Sequence, residues 1–311
     1  MIQKRLYTLM GVGVFLGIVL IGLGALPAYQ RLFGPREVLK AYEQAFPDRV
    51  RDVSWQEGDW TITVAETTLF WAQGRILPAE ERDQWQKYLP YVFYTYPESP
   101  PDPRQYSTEK IEQLRLLGDT EQRKNGLDHH PLFRSLLYEG RSREEVEDQI
   151  IVIQFLGKRV SVHRRIAATL RRIDTKACSL AKTNHQVATF LSNLGSIGGY
   201  NWREIRGTQR MSFHSWGLAI DIQPKRLGGK VIYWGWEQEK NPDWMLVPQS
   251  ERWAPPAEII QLFEQEGFIW GGKWDLYDQM HFEYRPELHL LKKLSLESLQ
   301  IPPEEPPRKE D

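Results

Sequence analysis

The stretch SFHSWGLAID at residues 212–221 and the shorter DQMHFE at residues 278–283 decide how this chain is read. In the first, Gly217 and Ala219 are small enough for a strand to pass close beneath a bound group. Ala219 and Asp221 share one face of that strand, because strand side chains alternate with period two. His281 and Glu283 share a face in the second stretch for the same reason. Two imidazoles with one carboxylate form a facial set that suits a tetrahedral Zn2+ ion with its fourth position open. Magnesium or calcium would call for oxygen donors throughout.

Working outward, Leu218–Ile222, Phe268–Trp270 and Met280–Tyr284 read as short strands. Pro255 and Pro256 open a helix with Ile259, Ile260, Leu262 and Phe263 on its apolar face, and Gly267 closes it. Val162, Ile166, Leu170, Ile173 and Ala177 form one helical stripe, with His163 and the arginines 164, 165, 171 and 172 on a solvated face. The run IIVIQFL before Gly157 is apolar and β-branched, and Gly198-Gly199 marks a turn. The fold class is α+β: a small antiparallel sheet backed by helices over residues 149–295. A smaller α+β region over residues 31–148 precedes it, with a helix at Glu37–Phe46, a hairpin within Asp59–Leu77, an irregular proline-rich surface segment at 90–106 and charged helical pieces beyond. Residues 296–311 read as a disordered tail rich in proline and charge.

Composition narrows the function classes. The chain has 311 residues, 41% of them hydrophobic, so a core of ordinary size can form. Lys plus Arg number 40 and Asp plus Glu 41, which argues against nucleic acid as a partner held by bulk charge. A single cysteine, Cys178, excludes an internal disulfide framework and cysteine-rich metal sites, and its place at the edge of the helical stripe favours packing over nucleophilic chemistry. From Leu6 to Tyr29 no residue is charged, and Lys4 and Arg5 precede the run. A helix of that length reaches roughly 36 Å, enough for a hydrocarbon core of about 30 Å. Residues 1–30 are therefore expected to be a transmembrane signal anchor that contacts the lipid bilayer through residues 6–29. The chain would be a single-pass protein of the cytoplasmic or inner membrane with its catalytic domain extracytoplasmic.

The chemistry needs a base beside the metal's open position, and Asp278 lies three residues before His281, across a turn. A Lewis-acid metal, an activated water and an adjacent carboxylate describe amide hydrolysis. Ser212 and Ser215 lie near His214, but an imidazole that ligates a metal cannot also serve them as a base.

The two motifs together resemble the signature of the zinc D-alanyl-D-alanine carboxypeptidase and L-alanyl-D-glutamate peptidase family, which includes the vancomycin-resistance dipeptidases and endolysin peptidases and shares its fold with the hedgehog signalling domain. The resemblance covers roughly residues 150–295. It implies that His214, Asp221 and His281 hold zinc, that Asp278 is the catalytic base, and that peptidoglycan stem peptides are the substrate. It also implies an upstream arginine that grips a substrate carboxylate, here Arg203, with Arg206 and Arg210 as alternatives. The dipeptidase branch carries Glu where this chain has Asp278, whereas the endolysin-like branch carries Asp, which leans toward endopeptidase or L,D-cleaving specificity. Ser212, Glu283 and Trp216 are expected to touch substrate or to support the ligands. Trp270 and Trp274 divide between core and cleft wall, and Trp234, Trp236, Trp244 and Trp253 between a rim and a packed cluster. The adjacent pair His129-His130 is read as outside the metal set. The alternative to an enzyme is a non-catalytic zinc-containing module that binds the cell wall or stabilises structure.

Overall fold

The computed structural model describes residues 33–119, 127–206, 208 and 210–298. The chain from Phe33 onward forms one compact unit. Its helices are α1 (Pro35–Ala45), α2 (Thr108–Gly118), α3 (Leu132–Leu137), α4 (Arg143–Glu147), α5 (Arg164–Leu180), α6 (His185–Ser192), α7 (Trp234–Glu237), α8 (Ala257–Gln265) and α9 (Pro286–Ser298). The strands are β1 (Val50–Gln56), β2 (Asp59–Val64), β3 (Thr67–Phe70), β4 (Ile150–Phe155), β5 (Lys158–His163), β6 (Leu194–Gly198), β7 (Ala219–Pro224), β8 (Phe268–Trp270) and β9 (His281–Tyr284). All strand pairing is antiparallel, in a three-stranded sheet β1-β2-β3, a hairpin β4-β5 and a four-stranded sheet β6-β7-β9-β8. The class is α+β, with small antiparallel sheets and helices packed on them.

Helix α1 starts where Pro35 supplies the first-turn φ and Glu37 Oε2 accepts from Gly34 N at 2.9 Å. The expected hairpin is β2 with β3, but β1 joins it. A register shift between Val50 and Asp52 breaks the alternation of β1, and its outer face is polar, so periodicity hides it. The helical stripe is α5, with Ile166, Leu170, Ile173 and Ala177 buried, while Val162 belongs to β5.

His163 does not lie on a solvated face. It is buried at the start of α5, where its Nδ1 accepts from Arg165 N at 3.1 Å and its Nε2 faces Tyr138 O at 3.2 Å. Burial pushes its pKa down to about 4, so it caps as a neutral ring. Of the arginines, Arg165 pairs with Asp48 at 2.8 Å and Arg172 with Glu266 at 2.7 Å.

One hydrophobic cluster runs from Val38 to Leu291. In it α9 packs on α1, and Phe46 meets Tyr284 of β9 at 6.4 Å between ring centroids. The site sheet rests on α8 through Phe263, which stacks on Phe282 at 4.0 Å. A second cluster gathers Leu114, Trp234, Trp244, Met245 and Tyr277. Trp234 and Trp244 therefore pack, Trp253 stacks on Phe190, and Trp236 stays exposed.

Three expectations are corrected. Segment 90–106 is irregular, yet Tyr91 and Tyr96 are buried, so it threads the core instead of covering it. Cys178 is exposed, with Sγ 3.8 Å from Asp174 Oδ1, and does not pack. No helix among the described residues is long and apolar enough to cross a membrane, which removes the support for a single-pass membrane location. Residues 6–29, on which the anchor and the bilayer contact rested, lie outside the described residues, as does the tail beyond Ser298.

Phe46→Ala should lower unfolding free energy by about 3–5 kcal/mol, the usual cost of emptying an aromatic core site. Because the larger cluster joins α1 and β1 to the site sheet, denaturation followed by fluorescence and by far-UV dichroism should give one coincident transition that moves as a whole.

Candidate metal centre

Strands β7 and β9 are neighbours in a register that sets Asp221 directly opposite His281 and Ala219 opposite Glu283. Directly opposite residues project to the same face. The intervening pair, Ile220 and Phe282, points the other way and is fully buried. On the other side of β7, Gly198 of β6 lies opposite Asp221 and adds no side chain to crowd the carboxylate.

His214 enters from a 3-10 turn at Phe213–Trp216, where its own N–H donates to Ser212 Oγ at 3.3 Å. Gly217 ends the turn at φ +63, and a Cβ there would lie 2.7 Å from His163 N, so only glycine fits. Gly199 lets the backbone approach β5, where a Cβ would sit 2.2 Å from Ser161 O. Its carbonyl thereby reaches His214 Nδ1 at 2.6 Å.

Three donor atoms converge. His214 Nε2 lies 3.3 Å from His281 Nδ1 and 3.1 Å from Asp221 Oδ2, and His281 Nδ1 lies 2.8 Å from Asp221 Oδ1. The far ring nitrogens have partners of their own: Nδ1 of His214 on Gly199 O, and Nε2 of His281 on Glu283 Oε1 at 3.1 Å. A carbonyl and a carboxylate can only accept, so each outer nitrogen keeps its proton, and an inner nitrogen that gives up the proton it shares with Asp221 presents a lone pair to a cation. Two lone pairs and a carboxylate facing one point suit a divalent cation that accepts mixed nitrogen and oxygen donors.

The electrostatics agree. Burial would raise the Asp221 carboxyl, but its hydrogen bonds with His214 and His281 hold it well below the usual carboxylate range. Burial disfavours charge on His281, yet its bonds to Asp221 and Glu283 lift it well above the usual imidazole range. The cluster attracts positive charge, whether a proton or a cation.

Asp278 sits on the loop before β9, its N–H on Gly271 O at 3.0 Å. Its Oδ1 is buried without a hydrogen-bond partner. Burial pushes this carboxyl up to about 7, with Asp221 adding to the rise and His281 and Arg203 opposing it.

Arg203 lies on an exposed loop whose backbone is tied to Ser215 Oγ, at 3.0 Å from N and 2.8 Å from O. Arg206 is engaged by Glu239 at 2.7 Å. Trp216, expected near the ligands or the substrate, is buried against Tyr138 at 5.9 Å, because the turn aims it into the core. Ser212 is likewise buried and holds the turn. Trp274 stands beside the centre, 5.6 Å from the His281 ring, whereas Trp270 is buried with its Nε1 on Gln279 O. His129 stacks on Tyr91 and His130 faces Glu81, and neither joins the three donors.

Two groups near Glu283 escaped the sequence reading. Arg285 lies 3.7 Å from Glu283 and also bonds Glu287; the alternation of 283, 285 and 287 was the available signal. Arg134 of α3 stacks on Tyr91 at 5.1 Å and Phe213 at 5.2 Å; burial would raise the Glu283 carboxyl, but its bond to His281 lowers it, with the charges of Arg285 and Arg134 adding to that. Nothing in its local sequence marks it.

Residues 206–284 match the family model described as D-alanyl-D-alanine carboxypeptidase. Residues 38–93 match a model described only as a domain of unknown function. The chain is similar to the peptidoglycan L-alanyl-D-glutamate endopeptidase CwlK of Bacillus subtilis (strain 168), 31% identical over 80 residues. That similarity spans 24% of this chain and 40% of the relative. No solved structure matches.

Gly217→Ala forces a side chain into the left-handed region and against His163. It should cost about 2 kcal/mol or more of stability, read as a lower urea midpoint at unchanged slope.

Proposed function

We propose that this chain is a zinc-dependent peptidase that hydrolyses an amide bond in the stem peptide of peptidoglycan. The observation that carries the reading is the convergence of His214, Asp221 and His281 beside the buried carboxyl of Asp278, whose Oδ1 has no hydrogen-bond partner. His214 Nε2, His281 Nδ1 and the Asp221 carboxylate would hold zinc. Zinc, when bound, supplies Lewis acidity toward the scissile carbonyl and toward water.

The remaining steps belong to the chain's own side chains. Asp278 Oδ1 accepts the proton of the water that attacks the carbonyl carbon, then delivers it to the leaving nitrogen as the C–N bond breaks. The products are a carboxylate and an amine. A carboxyl raised to about 7 suits both transfers near neutral pH. Glu283 and the Gly199 carbonyl fix the two imidazoles. Arg203 is the proposed grip on a substrate carboxylate, its fork suited to bidentate contact. Trp274 is a wall of the cleft. The short carboxylate at 278 and the activity named for the Bacillus subtilis relative favour cleavage between L-alanine and D-glutamate over removal of a terminal D-alanine.

The test is mass spectrometry of muropeptides incubated with zinc-loaded full-length protein. Asp278→Asn should retain zinc and lose about 10²–10⁴-fold in turnover, the usual worth of general acid–base catalysis. Full activity in that variant overturns the mechanism. A chelator should abolish turnover reversibly while the fold persists, whereas unfolding without any turnover ever detected would mark a structural ion. Independently, Glu283→Gln should weaken zinc binding about 10–100-fold in a competition titration.

A further inference from the structure

We propose that Tyr106 and Lys110, by holding Asp275, position the loop 271–280 and through it Asp278. This rests on the catalytic role proposed for Asp278. Residues 94–110 lie outside both matched segments, 38–93 and 206–284.

Both oxygens of Asp275 are taken from that region: Tyr106 OH donates to Oδ1 at 2.9 Å and Lys110 Nζ to Oδ2 at 2.6 Å. The ion pair is only part-exposed, with side chains 21% and 33% accessible, so screening weakens it less than a surface pair. Next to it, Trp274 Nε1 donates to Tyr94 OH at 3.1 Å. At the head of the loop, Trp270 N donates to Tyr96 OH at 2.8 Å, and that hydroxyl donates to Glu264 at 2.6 Å. Three tyrosines of one irregular strap, with Lys110 in the first turn of α2 that follows it, thus grip residues 270, 274 and 275.

Asp278 itself has no comparable restraint. Its main-chain bonds are N–H to Gly271 O and C=O from His281 N at 3.2 Å, with a bridge to Tyr233, and its carboxyl is met only by the Met280 backbone of the same loop. Its carboxylate Oδ1 is held by nothing. Where that oxygen stands is therefore set by the path of the loop backbone, and the strap holds that path. Misplacing a reacting group by about 1 Å can cost a hundredfold in rate. Tyr106, Lys110 and Asp275 are positioning residues, since none of them reaches the three converging donors.

The experiment compares full-length wild type with Tyr106→Phe/Lys110→Met, reading kcat, KM, zinc content and hydrogen exchange by mass spectrometry. The expected result is at least a tenfold fall in kcat, with KM within twofold and zinc content unchanged. Amides of 271–280 should exchange faster while the rest of the chain keeps its protection. Lys110→Arg alone should retain wild-type kcat. Unchanged kcat and exchange would overturn the proposal. So would faster exchange spread evenly over the chain, which marks a purely structural role. If wild type cleaves no muropeptide, the peptidase reading fails while exchange of 271–280 still decides whether the strap holds the loop. Should the double variant not fold, Asp275→Asn, which keeps the Tyr106 bond and removes the ion pair, must show the same local exchange and a smaller fall in kcat; wild-type values there overturn it.

Discussion

The antiparallel register of β7 against β9 is the constraint on which the centre depends. It puts Asp221 opposite His281 and turns both to one face, while Ile220 and Phe282 are driven to the other. Sliding β9 by one residue would turn His281 and Glu283 toward the core and Phe282 away from it. The register is therefore enforced by the core, through Phe282 stacked on Phe263, not by attraction between donors. Asp221 bonds both imidazoles across this face, and positive charge is what stabilises the buried carboxylate; a cation can take the place of the protons that the three side chains share.

The outer contacts complete the same logic. A histidine can present its lone pair from either nitrogen, and the choice is made by whatever meets the opposite side of the ring. For His214 that partner is a backbone carbonyl, brought close because Gly199 has no side chain. For His281 it is Glu283, two residues along the same strand and so on the same face. Glu283 is in turn flanked by Arg285 and Arg134, which keep it ionised and able to accept. The chain thus fixes two tautomers with one glycine and one carboxylate.

How much was legible follows from how local each signal is. Period-two spacing within 217–221 and 281–283 reveals which residues share a face, the resemblance carried by the two motifs points to His214, Asp221 and His281, and α5, α8 and the short strands follow from their stripes and breakers. Signals that depend on tertiary partners were invisible. β1 hides behind a register shift, and His163 reads as polar surface until the α5 N-terminus that it caps is seen. Trp216 sits two residues from a donor, yet a 3-10 turn sends neighbouring side chains in divergent directions. The proline-rich segment 90–106 lacks regular structure for good local reasons, but absence of periodicity does not mean absence of burial, and its tyrosines enter the interior.

The amino-terminal region reaches one short strand of the site sheet at several points. β9 carries His281 at its start and Tyr284 at its end, and Tyr284 meets Phe46, just past the end of α1. The loop that enters β9 is gripped by residues 94–110, and the helix that leaves it packs back on α1. A strand of four residues cannot by itself fix the direction of an imidazole to a few tenths of an ångström. Anchored at its entry, at its far end and at its exit by a region outside the matched peptidase segment, it has no remaining freedom to tilt. That accounts physically for a small site sheet with so much chain wrapped around it: precision in the centre comes from restraint applied beyond it.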